Sequence, residues 1–312
     1  MAIRIVLTTL VIIVLLGILL AGAFRYLGYF ITEKTLGSRM DESAAINRTS
    51  IEDFKGLNRE NKDFLSAKNK LKGHFYYRRN QEDKDYLGIV VVIHGHQLLH
   101  EDYLIEINYF TQKGYLVYAY DSTGTGKSEG TAPKGQTQWM LDLNEALHML
   151  ENLVEYAQKP IYLWGHSIGA YAACAVMNFS HPRVKGIIAF APSNSGYEFA
   201  KTYWELHPHP SFITKQTYLA MKKIEDKNFG IYSEYTVLSG INNTDTKIVL
   251  IQSKDDPQVI LEASMAKYEK KFTNKNAKVL ILDEGKHWTF RKNKALNKEL
   301  MDRLYTEVFV CL

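Results

Sequence analysis

The chain has 312 residues, 46% apolar and 23% charged, the balance of a folded protein large enough to bury its own core rather than of a disordered one. Its net charge of +4, from 38 basic and 34 acidic residues spread along the length, supplies no basic stripe, so nucleic acid is not an expected partner. Two cysteines, Cys174 and Cys311, exclude a disulfide framework and read as free thiols, and no metal-ligand cluster is evident; His207 and His209 flank Pro208 in what reads as an irregular loop.

Residues 5–24 carry no charge and are bracketed by Arg4 and Arg25. Twenty residues of helix span about 30 Å, the thickness of a bilayer's hydrocarbon core. Residues 1–25 are therefore expected to form a single-pass N-terminal transmembrane anchor. The alternative is a signal segment cleaved near Ala21-Gly22-Ala23, which would leave a secreted protein. The flanking charges, Arg4 before and Arg25, Lys34 and Arg39 after, do not orient the span. Residues 26–72 are polar and weakly periodic and read as a connector with one or two short helices.

From residue 73 the chain alternates strand-like and helix-like segments. Apolar, β-branched or aromatic runs at 74–78, 88–93, 116–120, 161–164, 186–190, 247–252 and 278–282 predict strands. Helical patterns occupy 101–113, 137–158, 167–179, 259–271 and 293–308. This rhythm predicts an α/β fold, a mostly parallel sheet with helices on both faces. The run 192–245 interrupts it. Rich in aromatics (Tyr197, Phe199, Tyr203, Trp204, Phe212, Tyr218), it predicts a helical cap inserted above the sheet.

The strand ends carry the chemistry. The run 88–93 ends in His94-Gly95-His96-Gln97, where an oxyanion donor is expected: the backbone N–H of His96, with Gln97 as the alternative. His94 reads as a brace for the loop. After the strand 116–120 comes Asp121-Ser-Thr-Gly124-Thr-Gly126-Lys127-Ser128, whose end looks like a phosphate-binding loop but has Asp121 where that loop needs glycine; it reads as a glycine-rich turn beside the active site, with Asp121 structural. The strand 161–164 leads into Gly165-His166-Ser167-Ile168-Gly169 and then a small-residue helix. A serine hydroxyl becomes a nucleophile when a sharp turn exposes it to a base, and the two glycines keep side chains out of that turn. Ser167 is the candidate nucleophile and the N–H of Ile168 an oxyanion donor. In chain order an acid and a histidine should follow. Asp256, just past the strand 247–252 and before Pro257, is the preferred acid, with Asp255 as the alternative; His287, after 278–282 and Gly285, is the candidate base.

Together Gly165-His166-Ser167-Ile168-Gly169, His94-Gly95, the turn 121–128, Asp256-Pro257 and Gly285-Lys286-His287 resemble the α/β-hydrolase superfamily. Within it they resemble the serine aminopeptidase-like and monoacylglycerol lipase (lysophospholipase)-like branch. The resemblance covers about 73–312. It implies an eight-stranded sheet, a Ser-His-Asp triad, no cofactor, and ester or amide hydrolysis through an acyl-enzyme. The chain departs from the pattern after His94-Gly95, where His-Gln-Leu-Leu replaces small residues, and in its cap. The expected reaction is cleavage of a small-molecule or lipid-like ester, favoured by the aromatic cap and the membrane anchor. Serine aminopeptidase or amidase activity is the alternative, with Glu198, Glu205, Glu225 and Asp226 available to meet a free amino terminus. A membrane-tethered, non-catalytic binding module is the reading from a different class. The oligomeric state is not legible.

Overall fold

The computed structural model describes residues 2–42, 49–78, 85–206 and 211–310. The expectations for Cys311 and for the His207-Pro208-His209 run fall outside them, as do the side chains of Tyr203, Trp204 and Phe212.

The chain opens on helix α1 (Ala2–Thr35), of which Ile3–Phe30 is long and apolar enough to cross a membrane. An anchor and a signal segment share that property. Its Thr8 and Thr9 hydroxyls bond back to the carbonyls of Arg4 and Ile5, so neither hydroxyl is left without a partner on the apolar surface. Its leucines and isoleucines are exposed all round, unlike those of a core helix.

The body follows in chain order: β1 (Leu57–Asn61), β2 (Phe64–Ser66), β3 (Asn69–Leu71), β4 (Gly73–Arg78), β5 (Ile89–Ile93), α2 (Leu104–Gln112), β6 (Leu116–Tyr120), α3 (Thr137–Glu151), β7 (Ile161–His166), α4 (Ile168–Ala175), β8 (Val184–Phe190), the cap helices α5 (Gly196–Leu206) and α6 (Ser211–Phe229), α7 (Val237–Asn242), β9 (Lys247–Ser253), β10 (Ala277–Leu282), β11 (Arg291–Lys292), β12 (Ala295–Leu296) and α8 (Lys298–Tyr305). Eight strands form one sheet in the order β1-β4-β6-β5-β7-β8-β9-β10. β4 runs antiparallel to both β1 and β6; every pairing from β6 to β10 is parallel.

β5 shows why the parallel strands read as unbroken apolar runs. Ile89, Val91 and Ile93 enter the core beneath α3 and α4, while Val90 and Val92 enter the core beneath α2 and α8. Both faces are covered, so both sets of side chains are buried. From β5 the chain crosses to β6 on one side and then to β7 on the other. Ligands of open α/β sheets bind at such a switch point, beyond the carboxyl ends of the strands.

Three elements differ from expectation. The stretch read as a connector contributes strands: β1 is the eighth sheet strand, and β2 pairs with β3 as a hairpin. β1 (LNREN) shows too little alternation to be read as a strand, because as an edge strand it is covered on one side only. The run 259–271 forms two 3-10 segments, Leu261–Ala263 and Met265–Lys271, because Ser264 between them is extended and caps the second through its hydroxyl. The last helix starts late, since Asn293 and Lys294 both have positive φ (48° and 68°) and close a two-residue hairpin between β11 and β12. Asn297 then caps α8.

Candidate active site

Ser167 occupies the turn between β7 and α4 with φ 57° and ψ −121°, a conformation that costs a non-glycine residue of order 1–3 kcal/mol and is held by its surroundings. Its N–H donates to the Phe190 carbonyl (2.8 Å), and its carbonyl accepts from Ala170 and Tyr171 in the first turn of α4. The glycines on either side leave no room for a side chain. A Cβ on Gly165 would lie 2.4 Å from the Gly169 carbonyl oxygen, and one on Gly169 would lie 2.3 Å from that of Ile93. The second contact brings the start of α4 against the end of β5, so the elbow and the His94–Gln97 segment are neighbours.

That segment closes as a tight turn, with the Leu98 N–H on the Gly95 carbonyl (3.3 Å) and Gln97 at φ 57°. His94 is buried beneath it. Its Nδ1 lies 2.8 Å from the Gly95 carbonyl and its Nε2 accepts from the Ser122 N–H (3.0 Å), the arrangement of a neutral imidazole. Burial pushes its pKa down. His96 lies on the open side of the turn, lining the same cavity as Ser167 and Ile168.

His287 and Asp256 are both buried, and the His287 Nδ1 lies 2.8 Å from the Asp256 Oδ2. The other Asp256 oxygen accepts from the N–H groups of Gln258 (2.8 Å) and Val259 (3.0 Å) across Pro257, which has no N–H of its own to offer. Asp255 points elsewhere. It accepts from the Ser253 hydroxyl and the Lys286 N–H, which hold its carboxyl below the usual range. It thus braces the loop that carries His287, and Gly285 at φ 141° supplies that loop's reversal.

Residues that sequence reasoning missed support this loop. The Gly95 N–H donates to the Tyr103 hydroxyl oxygen (2.9 Å), the Tyr103 hydroxyl to the His166 Nδ1 (2.8 Å), and the His166 Nε2 to the His287 carbonyl (3.0 Å). A carbonyl only accepts, which fixes the His166 tautomer and the direction of the relay. Burial, followed by the neighbouring His287, pushes the His166 pKa well down, so the ring stays neutral. One directed chain therefore joins the turn after β5, the elbow and the loop that carries His287. Just beyond His287, Arg291 makes a two-pronged ion pair with fully buried Glu106 of α2 (2.8 and 2.6 Å) and donates to the Asp102 carbonyl. Apart from the Gly95–Tyr103 contact, no local motif marks these contacts, since their partners lie 63 to 189 positions apart.

Asp121 faces His100 (2.7 Å to Nδ1). Burial opposes its charge, yet His100 and neighbouring His94 hold its pKa down at about 2. Gly126, whose Cβ would lie 2.3 Å from the carboxylate, has no room for a side chain, so the turn closes tightly on Asp121. Among the described residues, no group of three or more His, Cys, Asp or Glu is placed to hold a metal ion.

The cavity over Ser167 has a volume of about 360 Å³, within the range of small-molecule sites. Its walls are mostly apolar, with Leu36, Ile168, Tyr197, Phe199, Met221 and Val259 prominent. One half-buried acid enters from the cap. Glu225 on α6 lines the cavity and accepts the Thr137 N–H (3.0 Å) and hydroxyl (2.7 Å); burial pushes its pKa up.

The family described as "Serine aminopeptidase, S33" matches residues 84–224, a stretch that contains Ser167 but neither Asp256 nor His287. No curated protein matches the chain. Among solved structures, an esterase of Pyrococcus furiosus is similar at 19% identity and a TM-score of 0.63, covering 86% of this chain and 97% of its own. Est1E of Butyrivibrio proteoclasticus, with ferulic acid bound, is similar at 15% identity and 0.57, over 79% and 96%. An acylaminoacyl peptidase of Pyrococcus horikoshii is similar at 16% and 0.58, over 82% of this chain and 42% of its own. The chain has the α/β-hydrolase fold and resembles the serine aminopeptidase branch.

Proposed function

We propose that this protein is a serine hydrolase that cleaves carboxylic esters of apolar, lipid-like acyl groups and is anchored in a membrane by α1. The observation that carries this reading is the strained Ser167 in its glycine-flanked elbow, at the floor of an apolar cavity. In this reading the Ser167 hydroxyl oxygen bonds to the ester carbonyl carbon while its proton passes to His287. Asp256, on the far ring nitrogen, keeps the tautomer that accepts the proton and stabilises the imidazolium. The N–H groups of Ile168 and His96 hold the oxyanion. The carbon–oxygen bond to the alcohol then breaks, and His287 returns the proton to that alcohol. Water hydrolyses the acyl-enzyme by the same steps, freeing the acid.

One observation favours a second reading, removal of a residue bearing a free amino group. Glu225 is a half-buried carboxylate in the cavity wall, its pKa raised by desolvation, and would pair with an ammonium. Turnover of acyl esters against aminoacyl amides separates the two readings. The first reading is tested by labelling the full chain with a fluorophosphonate probe. The parent should label, Ser167→Ala should not, and His287→Ala should label far more slowly. A folded parent that stays unlabelled, or equal labelling of Ser167→Ala, leaves the binding-module reading in its place.

A further inference from the structure

The segment that follows α1 is sewn into the active site. The Leu36 carbonyl accepts the Lys134 N–H (2.7 Å). Met40 donates to the Gly124 carbonyl (2.9 Å) and accepts the Gly126 N–H (2.8 Å). The Arg39 guanidinium donates to the carbonyls of Gly126 (2.5 Å) and Gly130 (2.8 Å). The glycine-rich turn after β6 is thus the receptor for residues 36–40. Gly124 and Gly126 both have positive φ, which turns their backbone groups toward this strap.

The strap also reaches the cavity and the cap. Leu36 lines the cavity over Ser167, and Lys134, at φ 61°, joins strap to cap: its N–H holds Leu36, and its carbonyl accepts from Asn228 of α6 (3.0 Å). Helix α1 itself packs against α6, the helix that brings Met221 and Glu225 into the cavity wall. The apolar span ends at Phe30, so Leu36 lies about 9 Å of helix beyond it, near the outer edge of a headgroup layer. No slack separates the span from the pocket.

We propose that the strap is a wall of the acyl pocket and that the pocket is filled from the bilayer holding α1: the substrate is a long-chain acyl ester resident in that membrane, entering beside α1 and beneath α6, not a soluble ester taken from water. This rests on the serine-hydrolase reading. Three observations support it together: an apolar cavity, a wall residue contributed by the anchor's own end, and a cap helix packed on the anchor.

The full chain is reconstituted in phosphatidylcholine vesicles, with rates normalised to Ser167 labelled by the fluorophosphonate probe. A fluorogenic oleoyl ester is placed either in the same vesicles or in separate ones, with the soluble acetyl ester as reference. Oleoyl turnover should be at least about tenfold faster from the same vesicles, as expected for a substrate held at high effective concentration. Leu36→Trp, which narrows the wall, should lower the oleoyl-to-acetyl rate ratio about tenfold, equivalent to withholding about two methylene groups from the pocket. Labelling of the variant shows that it has folded. Probe labelling and acetyl turnover with equal oleoyl rates from the two vesicle populations, or an unchanged ratio in the folded variant, overturns this proposal alone. Absence of labelling and of both turnovers overturns the hydrolase reading and this proposal with it.

Discussion

At Asp255 and Asp256, adjacent carboxylates have different partners, and their variants should behave differently. Asp256 accepts two backbone N–H groups on one oxygen and faces His287 with the other, whereas Asp255 holds Ser253 and Lys286. If Asp256 orients the base, Asp256→Asn should lower kcat by about 10³–10⁴ by presenting an N–H where the imidazole needs an acceptor. Asp255→Asn should cost less than about tenfold, through a loosened loop. Steady-state hydrolysis of an acetyl ester measures both, and a larger loss in Asp255→Asn would exchange the roles. The Ser167 elbow is legible in the sequence because its demands are local: a strand, a glycine on each side and a helix occupy consecutive positions. The choice between Asp255 and Asp256 is not, because it depends on which way a turn faces a loop 31 residues on.

Among the elements, the loop that carries His287 depends on distant support. Arg291 begins β11 directly after the loop and is held by Glu106, which has no exposed surface. Arg291→Met leaves that carboxylate buried without its partner and should destabilise the protein by about 3–5 kcal/mol, eased in part by protonation of Glu106, whose pKa burial already raises. The double variant Glu106→Leu/Arg291→Met should recover most of the loss, because an apolar pair of similar size leaves no buried charge. Thermal melting in detergent reads both, and a single variant that melts with the parent removes the clamp from the argument. The parallel strands were readable because burial on two faces leaves an apolar run. β1, the β11–β12 hairpin and the strap at 36–40 were not. An edge strand carries a weaker pattern, Asn-Lys is an uncommon pair for two left-handed residues, and the strap is held through backbone groups that leave no trace in side-chain identity.

For the molecule as a whole, the histidines buried at the ends of β5 and β7 tie stability to pH. Burial depresses the pKa of both His94 and His166, and each donates and accepts as a neutral ring. Below an unfolded value near 6.5 the unfolded chain binds protons that the folded chain refuses, so stability falls as pH drops, by up to about 1.4 kcal/mol per pH unit for each. His74, pushed down to about 4 by burial and then by His100, adds to the loss with the same sign, less strongly because it is only partly buried. Buried Glu106 and Asp142 and half-buried Glu225 act in the opposite sense: their raised pKa values let the folded state take up protons before the unfolded chain does as the pH falls. Asp121, held at about 2, reinforces the loss only below about pH 4. From pH 7.5 to 5.5 the histidines should dominate, and the melting temperature of the full chain in detergent should fall. A flat or rising profile over that interval would mean that the three carboxylates outweigh them.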